Sequence, residues 1–301
     1  MIDTTANLVI SKSNEVFLKI NTEPHIEYEL RDHFKFEVPN AKFMPQYRGR
    51  NWNGEIHLYD MRSKQIYVGL LDKIVQFCKN YGYTYKFEDN QWYGTPYEEN
   101  DGISLEGVKD YMHSICAHTP RKYQVEGVYG ALKHNRKLLI SPTASGKSLM
   151  IYSLVRYYVD RGEKILLVVP TTSLVEQMYK DFLDYGWDAD SYCHRIYSGR
   201  EKSNNAPVTI TTWQSVYKLE RSFFEDYGVI IGDEAHLFKS KSLIQIMTKL
   251  HHAKYRFGFT GTLDGTQTHK WVLEGLFGPS YKVTRTDELM RQGHLSQLDI
   301  Q

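Results

Sequence analysis

Residues 141–148, with the sequence Ser-Pro-Thr-Ala-Ser-Gly-Lys-Ser, are the feature that most constrains the fold. They match the phosphate-binding pattern G-x-x-x-x-G-K-[ST], except that Ser141 replaces the first glycine. An apolar run at 137–140 predicts a strand before the loop, and residues 149–158 have the pattern of a helix after it. A loop in this setting presents backbone N–H groups and the positive end of a helix dipole to an anion. The segment therefore predicts a phosphate site in an α/β domain.

Several side chains of this loop suit a phosphate or a divalent cation. Gly146 permits close approach of the backbone, and Lys147 can reach the β- and γ-phosphates of a nucleotide. The Ser148 hydroxyl is an oxygen ligand suited to Mg²⁺. The other loop residues expected to surround the phosphates are Thr143, Ala144 and Ser145. The alternative is a Gly-Lys-Ser that arose by chance in a strand-to-helix turn, and a second motif argues against it.

The second motif is the run Val-Ile-Ile-Gly-Asp-Glu-Ala-His at 229–236, in which an apolar strand leads directly into two carboxylates. In a parallel sheet, residues that follow a strand lie at the carboxyl edge, where ligands gather. Asp233 is expected to hold Mg²⁺, usually through water, and Glu234 to orient an attacking water. The competing interpretation is a solvated acidic pair at a strand end. Together the motifs predict phosphoryl-transfer chemistry with Lys147, Asp233 and Glu234 as catalytic residues.

The pattern of apolar runs indicates two domains that meet in a segment rich in Gly, Pro and acidic residues at about 90–110. After it, short apolar runs at 137–141, 165–169, 208–211, 229–232 and 256–259 alternate with helical patterns. This alternation predicts an α/β fold with a parallel sheet covered by helices. Before the segment, the patterns predict a small α+β domain in residues 1–95. Its predicted strands are 8–20, 55–59, 65–68 and 83–87, and its predicted helices are 24–34 and 70–81.

Composition excludes some classes of protein. The net charge of +1 argues against a polycation, so contacts with nucleic acid would come from local groups of Arg and Lys. Cys78, Cys116 and Cys193 show no CxxC spacing, which favours reduced thiols over a zinc site. The chain also has no apolar stretch of eighteen residues and no secretory leader pattern. A soluble intracellular protein without membrane contacts is therefore expected.

Read in order, the motifs resemble those of superfamily 2 helicases. Residues 146–148 resemble motif I, and Asp-Glu-Ala-His at 233–236 resembles a DEAH-type motif II. Residues 167–171 resemble motif Ia, residues 211–215 motif Ib, and Thr-Gly-Thr at 260–262 motif III. Upstream, Pro-Arg-Lys-Tyr-Gln at 120–124 resembles the adenine-sensing element of these enzymes.

This resemblance implies a RecA-like lobe in residues 119–285, preceded by a linker and helix at 96–118. It implies ATP and Mg²⁺ as cofactors, with Gln124 reading the adenine, Arg121 nearby, and Ser148 and Asp233 as metal ligands. The residues implied to couple hydrolysis to lobe movement are His236, Thr260 and Thr262. Those implied to contact one nucleic-acid strand are Thr171, Thr172, Thr212 and Trp213. For Trp213, a half-buried packing role is an equal alternative.

Three short segments lie near the front of the chain: Glu-Leu-Arg-Asp at 29–32, Asn-Trp-Asn-Gly at 51–54 and Leu-Tyr-Asp at 58–60. They resemble the N-terminal domain of the UvsW family of tailed-phage recombination helicases. That family implies ATP-driven remodelling of branched DNA or strand junctions, with RNA–DNA hybrids as further candidates, in the cytoplasm of an infected bacterium. Residues 42–54 read as a loop in which Arg48, Arg50 and Trp52, beside Lys42 and Tyr47, suit phosphate contact and stacking. The alternative is that the aromatic rings pack the small core.

The resemblance also implies a second RecA-like lobe with an arginine finger, and residues 286–301 resemble the beginning of the connection to it. We therefore expect an N-terminal part of a longer helicase that binds ATP but hydrolyses it weakly by itself, because such a finger contributes roughly 10³–10⁵ in rate. Two other hypotheses stay open. One is a nucleotide- and DNA-binding module without turnover, and the other is a restriction-type or chromatin-type DNA translocase subunit.

Overall fold

The computed structural model describes residues 6–142, 145–197, 205–238, 240–263 and 269–284. The chain divides into two units, residues 1–97 and residues 98–301. Thr143, Ala144 and the expected connecting segment 286–301 lie outside the described residues.

The first unit is an α+β unit built on two small sheets. Its strands are β1 (Leu8–Lys12), β2 (Phe17–Thr22), β3 (Lys35–Glu37), β4 (Glu55–His57), β5 (Gln65–Tyr67) and β6 (Tyr85–Glu88). Its helices are α1 (Pro24–His33), α2 (Pro45–Arg48) and α3 (Leu71–Tyr81). The larger sheet has the order β5-β2-β1-β6, with β1 antiparallel to β2 and parallel to β6, and β3 pairs with β4. Apolar residues of β1, β2, α1 and α3 form the buried core.

Two segments of this unit differ from the prediction. The extended stretch 8–20 is two strands, because Asn14 reverses the chain: its Oδ1 accepts hydrogen bonds from the backbone N–H groups of Val16 (2.8 Å) and Phe17 (3.0 Å). The predicted loop at 42–54 contains the short helix α2, which begins at Pro45 because the proline ring presets a helical φ at the first position.

The second unit contains the parallel sheet that the alternating pattern predicted. Its strands are β7 (Arg136–Ile140), β8 (Ile165–Val169), β9 (Cys193–Ile196), β10 (Val208–Thr212), β11 (Val229–Gly232), β12 (Tyr255–Thr260) and β13 (Ser280–Lys282). Its helices are α4 (Leu105–Ile115), α5 (Lys122–His134), α6 (Lys147–Val159), α7 (Thr172–Asp184), α8 (Ala189–Tyr192), α9 (Trp213–Val216), α10 (Ser240–Met247) and α11 (Lys270–Phe277). Among the described residues, the strands follow the order β13-β7-β12-β11-β8-β10-β9, and every pair is parallel.

The central strands are buried along their whole length, as expected of a parallel sheet covered on both faces. The edge strands β9 and β13 were missed in the sequence because they are short and partly polar.

Helix α4 packs on α5 and α6 through the buried Val108 and Met112, so the expected linker at 96–118 largely belongs to the second unit. All three cysteine side chains are buried. No helix in the described parts of the chain has the length and apolar character needed to cross a bilayer.

Candidate nucleotide and nucleic-acid site

Three neighbouring strands deliver the motif residues to one edge of the sheet. β7, β12 and β11 lie side by side in the sheet. The phosphate loop follows β7, Thr260 is the last residue of β12, and Asp233 follows β11. Backbone hydrogen bonds hold these ends in the sheet. The N–H of Ser141 donates to the Thr260 carbonyl of β12 at 2.8 Å, and the N–H of Asp233 donates to the Val168 carbonyl of β8 at 2.9 Å. The sheet thereby brings together residues that are more than a hundred positions apart in the sequence.

The described part of the phosphate loop explains why a serine stands at its first position. The hydroxyls of Ser141 and Ser145 are 2.6 Å apart, and both side chains are fully buried. This hydrogen bond joins the two ends of the loop. Gly146 follows with φ 76°, a conformation that favours glycine, and a Cβ at this position would collide with the Gln124 side-chain amide. The loop therefore depends on Ser141 for closure and on Gly146 for space.

The charged centre of the site consists of Lys147, Asp233 and Glu234. The Lys147 ammonium contacts Glu234 Oε1, although the two residues are far apart in the sequence. Asp233 is only 6% exposed. Burial raises the pKa of the Asp233 carboxyl to about 6, with Lys147 acting in the opposite direction.

These carboxylates fit a divalent cation. A buried carboxylate is costly to ionise without a nearby positive charge, and a cation would remove that cost. Within the described ranges, no cluster of three or more His, Cys, Asp or Glu side chains could hold a metal. The set present, one buried Asp beside a phosphate loop, instead matches Mg²⁺, which keeps waters and takes substrate phosphates as ligands together with one or two carboxylates.

The backbone of Glu234 is strained. Its φ of 47° lies in the left-handed region, which costs a non-glycine residue about 1–3 kcal/mol. Its N–H donates to Asp233 Oδ1 at 2.9 Å, which holds the turn. This conformation directs the Glu234 carboxylate to Lys147, while Asp233 stays buried. Asp233 is therefore buried, whereas the neighbouring Glu234 is paired with Lys147.

His236 connects this centre to the end of β12. Its Nδ1 lies 2.8 Å from Thr260 Oγ1, and the Thr260 hydroxyl donates to the Thr262 carbonyl at 2.6 Å. Because Thr260 has a single hydroxyl proton, its oxygen accepts the hydrogen bond from Nδ1–H of His236. Burial lowers the pKa of His236, which favours the neutral ring, and the bond to Thr260 then places the single ring proton on Nδ1. Motifs II and III are therefore in direct contact.

The segment 120–124, expected from the sequence to sense adenine, is attached to the phosphate loop through Gln124, which is 4% exposed. Gln124 Oε1 accepts from the Arg121 N–H at 2.8 Å, and Nε2 donates to the Ser145 carbonyl at 2.8 Å. Tyr123 Oη also donates to the Ser145 carbonyl, at 3.0 Å, and accepts from the Arg121 guanidinium at 2.7 Å. Both ends of the Gln124 amide are thus engaged within the protein, which fixes the amide beside the phosphate loop.

The Ser148 hydroxyl has a partner that the sequence did not indicate. Tyr185, the residue that follows α7, donates its Oη–H to Ser148 Oγ at 3.3 Å. No local pattern marks Tyr185, because it meets Ser148 only through the packing of α7 on α6.

The segments implied to hold a strand meet at the ends of β8 and β10, which are neighbours in the sheet. Thr171 caps α7 through its side chain, which accepts from the Leu174 N–H at 3.3 Å, and Thr172 is exposed beside it. Thr212 is 4% exposed and its hydroxyl bonds to Ser215. Trp213 is half-buried against Tyr217. Thr171 and Thr172 are therefore presented outward, whereas Thr212 faces the interior.

The loop of the first unit lines an open concavity of about 940 Å³. Its cationic side chains are Arg31, Lys42, Arg48 and Arg50. Arg31, from α1, was not predicted for this group, because only the fold brings it to the loop. Tyr47 is 40% exposed, whereas Trp52 is half-buried and donates its indole N–H to the Glu55 carbonyl at 2.7 Å. The Trp52 ring is therefore fixed in place and still lines the concavity.

Two family models match the chain in succession. The N-terminal domain of DNA helicase UvsW matches residues 11–88, and the res subunit of type III restriction enzymes matches residues 117–265. The first match falls in the first unit and the second in the unit that carries the motifs.

Individual relatives give the same result. The ATP-dependent DNA helicase uvsW of Enterobacteria phage T4 is 33% identical over 294 residues, which are 94% of this chain and 57% of that protein. A crystal structure of the T4 UvsW helicase superimposes with a TM-score of 0.81 at 31% identity, covering 92% of this chain and 99% of that one. A DNA 3'–5' translocase of Sulfurisphaera tokodaii is 30% identical over 197 residues, 64% of this chain and 41% of that protein. The chain thus spans a little over half of the T4 protein, and the matches confirm a RecA-like lobe preceded by a small α+β unit.

Proposed function

Because this chain belongs to the superfamily 2 DNA helicases, within the UvsW family, we propose that it is the ATP-binding part of a DNA helicase or translocase that remodels branched DNA. The observation that carries the proposal is the meeting of Lys147, Asp233 and Glu234 at one edge of the sheet, after β7 and β11, with His236 bonded to Thr260 on the strand between them. A phosphate site of this kind suits ATP hydrolysis. Its attachment to motif III suits the conversion of hydrolysis into movement.

In the proposed reaction, the phosphate loop and the N-terminus of α6 surround the phosphates of ATP. Lys147 leaves Glu234 and moves onto the β- and γ-phosphates. Mg²⁺, when bound, neutralises charge that develops on the transferred phosphoryl group, and Asp233 and Ser148 are the side chains that would hold it. Glu234, released from Lys147, orients and polarises the attacking water. The ion pair of the described structure is therefore a resting arrangement that ATP replaces.

The adenine end of the nucleotide is proposed to lie beside the 121–124 segment. Gln124 would contact the base through the remaining donor or acceptor of its amide, with Arg121 nearby. Because the same amide is hydrogen bonded to the phosphate loop, binding of the base would directly affect the contacts between that loop and the phosphates. Thr143 and Ala144, which lie outside the described residues, are proposed to belong to the same nucleotide site.

Coupling is proposed to pass through His236, Thr260 and Thr262. Replacing Thr260 with valine removes the hydroxyl between His236 and the Thr262 carbonyl at nearly constant volume. We expect the factor by which DNA raises ATP affinity to fall by about fivefold or more, because allosteric couplings are worth about 5- to 150-fold. The measurement is binding of a fluorescent ATP analogue with and without DNA.

The matched control for this prediction is Thr209→Val, which removes another fully buried threonine hydroxyl, 2.8 Å from Tyr227 Oη and outside the motifs. The coupling proposal is wrong if Thr260→Val retains the full DNA effect, or if the Thr209 variant loses it equally.

DNA is proposed to contact both units. In the second unit, Thr171 and Thr172 would bind the backbone of one strand, with Thr212 and Trp213 supporting that edge. In the first unit, the cations of the concavity would bind phosphates, and the exposed ring of Tyr47 beside Trp52 would contact bases or sugars. The net charge of +1 for the whole chain makes such local groups the source of any attraction to DNA.

Replacing Arg48 and Arg50 together with alanine is expected to weaken DNA binding about tenfold at low salt and to reduce the salt slope by about two. Both side chains are exposed, so stability should not change. The measurement is a salt titration of binding to a branched DNA. As a control, Arg62→Ala with Lys79→Ala removes two exposed charges elsewhere in the same unit. Equal effects of the two double variants, or no effect of the first, would refute the contact.

Several finer features are proposals of the same kind. Junctions between single and double strands are the expected substrates, with RNA–DNA hybrids as a further candidate, and the phage origin of the T4 relative favours action in the cytoplasm of an infected host. Residues 1–95 would be the accessory domain and residues 119–285 the motor lobe. The match of a UvsW N-terminal model to residues 11–88 favours this family over a restriction-type or chromatin-type motor.

Residues 1–301 by themselves are proposed to bind ATP yet to hydrolyse it slowly, because in this superfamily the finger arginine comes from a second lobe. A binding module without turnover is the competing function. Steady-state hydrolysis with and without branched DNA distinguishes them. Slow turnover that DNA stimulates supports the motor, and ATP binding that DNA never converts into turnover, even when a second lobe is supplied, supports the binding module.

A further inference from the structure

The short helix α9 begins with Trp213, in the segment proposed to hold a nucleic-acid strand. Gln214 connects this helix to the neighbouring segment, because its Nε2 donates to the Pro170 carbonyl at 3.3 Å and Pro170 directly precedes Thr171. The segments that follow the adjacent strands β8 and β10 are thus joined by a side-chain bond as well as by the sheet. A displacement of α9 would therefore be passed on to Thr171.

The other end of α9 is held by Lys249, which lies just after α10. Its ammonium donates to the backbone carbonyls of Tyr217 at 2.9 Å and Leu219 at 2.6 Å, and it lies 5.6 Å from the centroid of the Phe224 ring. Carbonyls at the end of a helix lack partners within the helix, and a lysine side chain satisfies them. Because two carbonyls and an aromatic ring surround the half-buried ammonium, it is not placed to bind a DNA phosphate.

The turn that carries Lys249 is fixed from the interior of the second unit. Arg256, on β12, is fully buried. Its guanidinium donates to three backbone carbonyls around this turn, those of Met247 (3.3 Å), Leu250 and Ala253 (2.9 Å). The side chain of Lys249 therefore extends from a backbone that a buried, fully bonded cation holds in place.

We propose that Lys249 is a positioning residue for DNA binding, which holds α9 so that Trp213 and Thr171 can contact one nucleic-acid strand. It acts through the backbone of α9 and through Gln214, and it does not touch the nucleic acid. The inference rests on the proposed function in one respect, the assignment of the edge after β8 and β10 to strand binding. Residues of a contact network that touch no ligand can alter the coupling between sites by roughly 2- to 30-fold.

The test measures binding of a fluorescently labelled single-stranded DNA to residues 1–301 at several salt concentrations. Lys249→Met keeps the apolar stem and removes the donors, so α9 loses its anchor. We expect DNA affinity to fall about fivefold, with the affinity for ATP in the absence of DNA unchanged. Lys249→Arg, whose guanidinium can donate to both carbonyls, should retain most of the DNA affinity. If Lys249→Met does not fold, Lys249→Gln, a shorter neutral donor, is measured and interpreted in the same way.

The dependence on salt distinguishes positioning from direct contact with DNA. Loss of a lysine that binds a phosphate reduces the salt slope by about one, because one counterion fewer is released. Lys249→Met should instead lower the affinity by the same factor at every salt concentration. The control is Lys241→Met, which removes an equal charge from the exposed start of α10 and should leave the affinity unchanged.

Three results would overturn the proposal. A reduced salt slope would mean that Lys249 binds phosphate, and full DNA affinity in Lys249→Met would mean that its bonds serve stability alone. An equal loss of affinity in Lys241→Met would mean that only the charge matters.

The double variant Lys249→Met/Trp213→Leu provides a second, independent comparison. If Lys249 acts through α9, the loss of DNA affinity in the double variant should be smaller than the product of the two single losses. A loss equal to that product would also overturn the proposal. Failure of the proposed function looks different, because Trp213→Leu and Thr172→Ala would then bind DNA as tightly as the unaltered protein does.

Discussion

Replacing Lys147 with alanine is expected to weaken ATP binding by roughly 10- to 100-fold and to reduce DNA-dependent turnover by about 10²–10³-fold, the effect of losing one charged or hydrogen-bonding group aimed at the transition state. In the structure its ammonium contacts Glu234, and its charge opposes the rise that burial causes in the pKa of the Asp233 carboxyl. The substitution therefore removes a phosphate ligand and also leaves two acids facing an anionic nucleotide. Both effects weaken the binding of ATP.

The matched control is Lys180→Ala, which removes an exposed lysine of α7 and should leave ATP binding unchanged. Fluorescence titration with an ATP analogue gives the affinity, and release of phosphate gives the turnover. Equal ATP affinity in the Lys147 variant and the unaltered protein would place the nucleotide elsewhere.

Replacing Glu234 with glutamine is expected to reduce turnover without weakening ATP binding. Turnover should fall by about 10²–10³-fold, because an amide cannot polarise the attacking water as a carboxylate does. ATP binding should be retained or become tighter, because Lys147 no longer has to leave an ion pair and one negative charge near the phosphates is gone. The two variants thus distinguish a residue that binds phosphate from one that acts on water.

The measurement for Glu234→Gln is again affinity beside turnover, with Glu225→Gln as a control for loss of an exposed acid in the same unit. A parallel loss of ATP affinity and turnover would mean that Glu234 serves the fold of the loop. A change in thermal stability would accompany this outcome, because glutamine cannot form the ion pair that Glu234 makes with Lys147.

The sequence predicted the parts of the site that lie within single motifs. Residues 145–148 and 233–236 are read directly because phosphate and water chemistry need these residue types in that order, after a strand. The comparisons confirm the α/β fold with its parallel sheet. Strand order was not predictable, because β7 and β11 are separated by β12, which comes later in the chain. The contact between Lys147 and Glu234 follows from that order.

Other features depended on long-range packing and left no local trace. Tyr185 meets Ser148 only because α7 packs on α6, and Arg31 reaches the concavity only because α1 packs near residues 42–54. The interior position of Thr212 was also hidden, since a strand-end threonine reads the same whether buried or exposed. Conversely, the closure of the phosphate loop by Ser141 explains the one departure from the motif that the sequence displayed.

The central claim is that the edge formed by β7, β12 and β11 binds ATP and serves a DNA-dependent motor. The most direct test measures equilibrium binding and steady-state hydrolysis of ATP by residues 1–301, with and without branched DNA, beside Lys147→Ala. The expected result is Mg²⁺-dependent ATP binding that requires Lys147, together with slow hydrolysis that DNA stimulates. Absence of ATP binding, or binding that persists unchanged without Lys147, would contradict it.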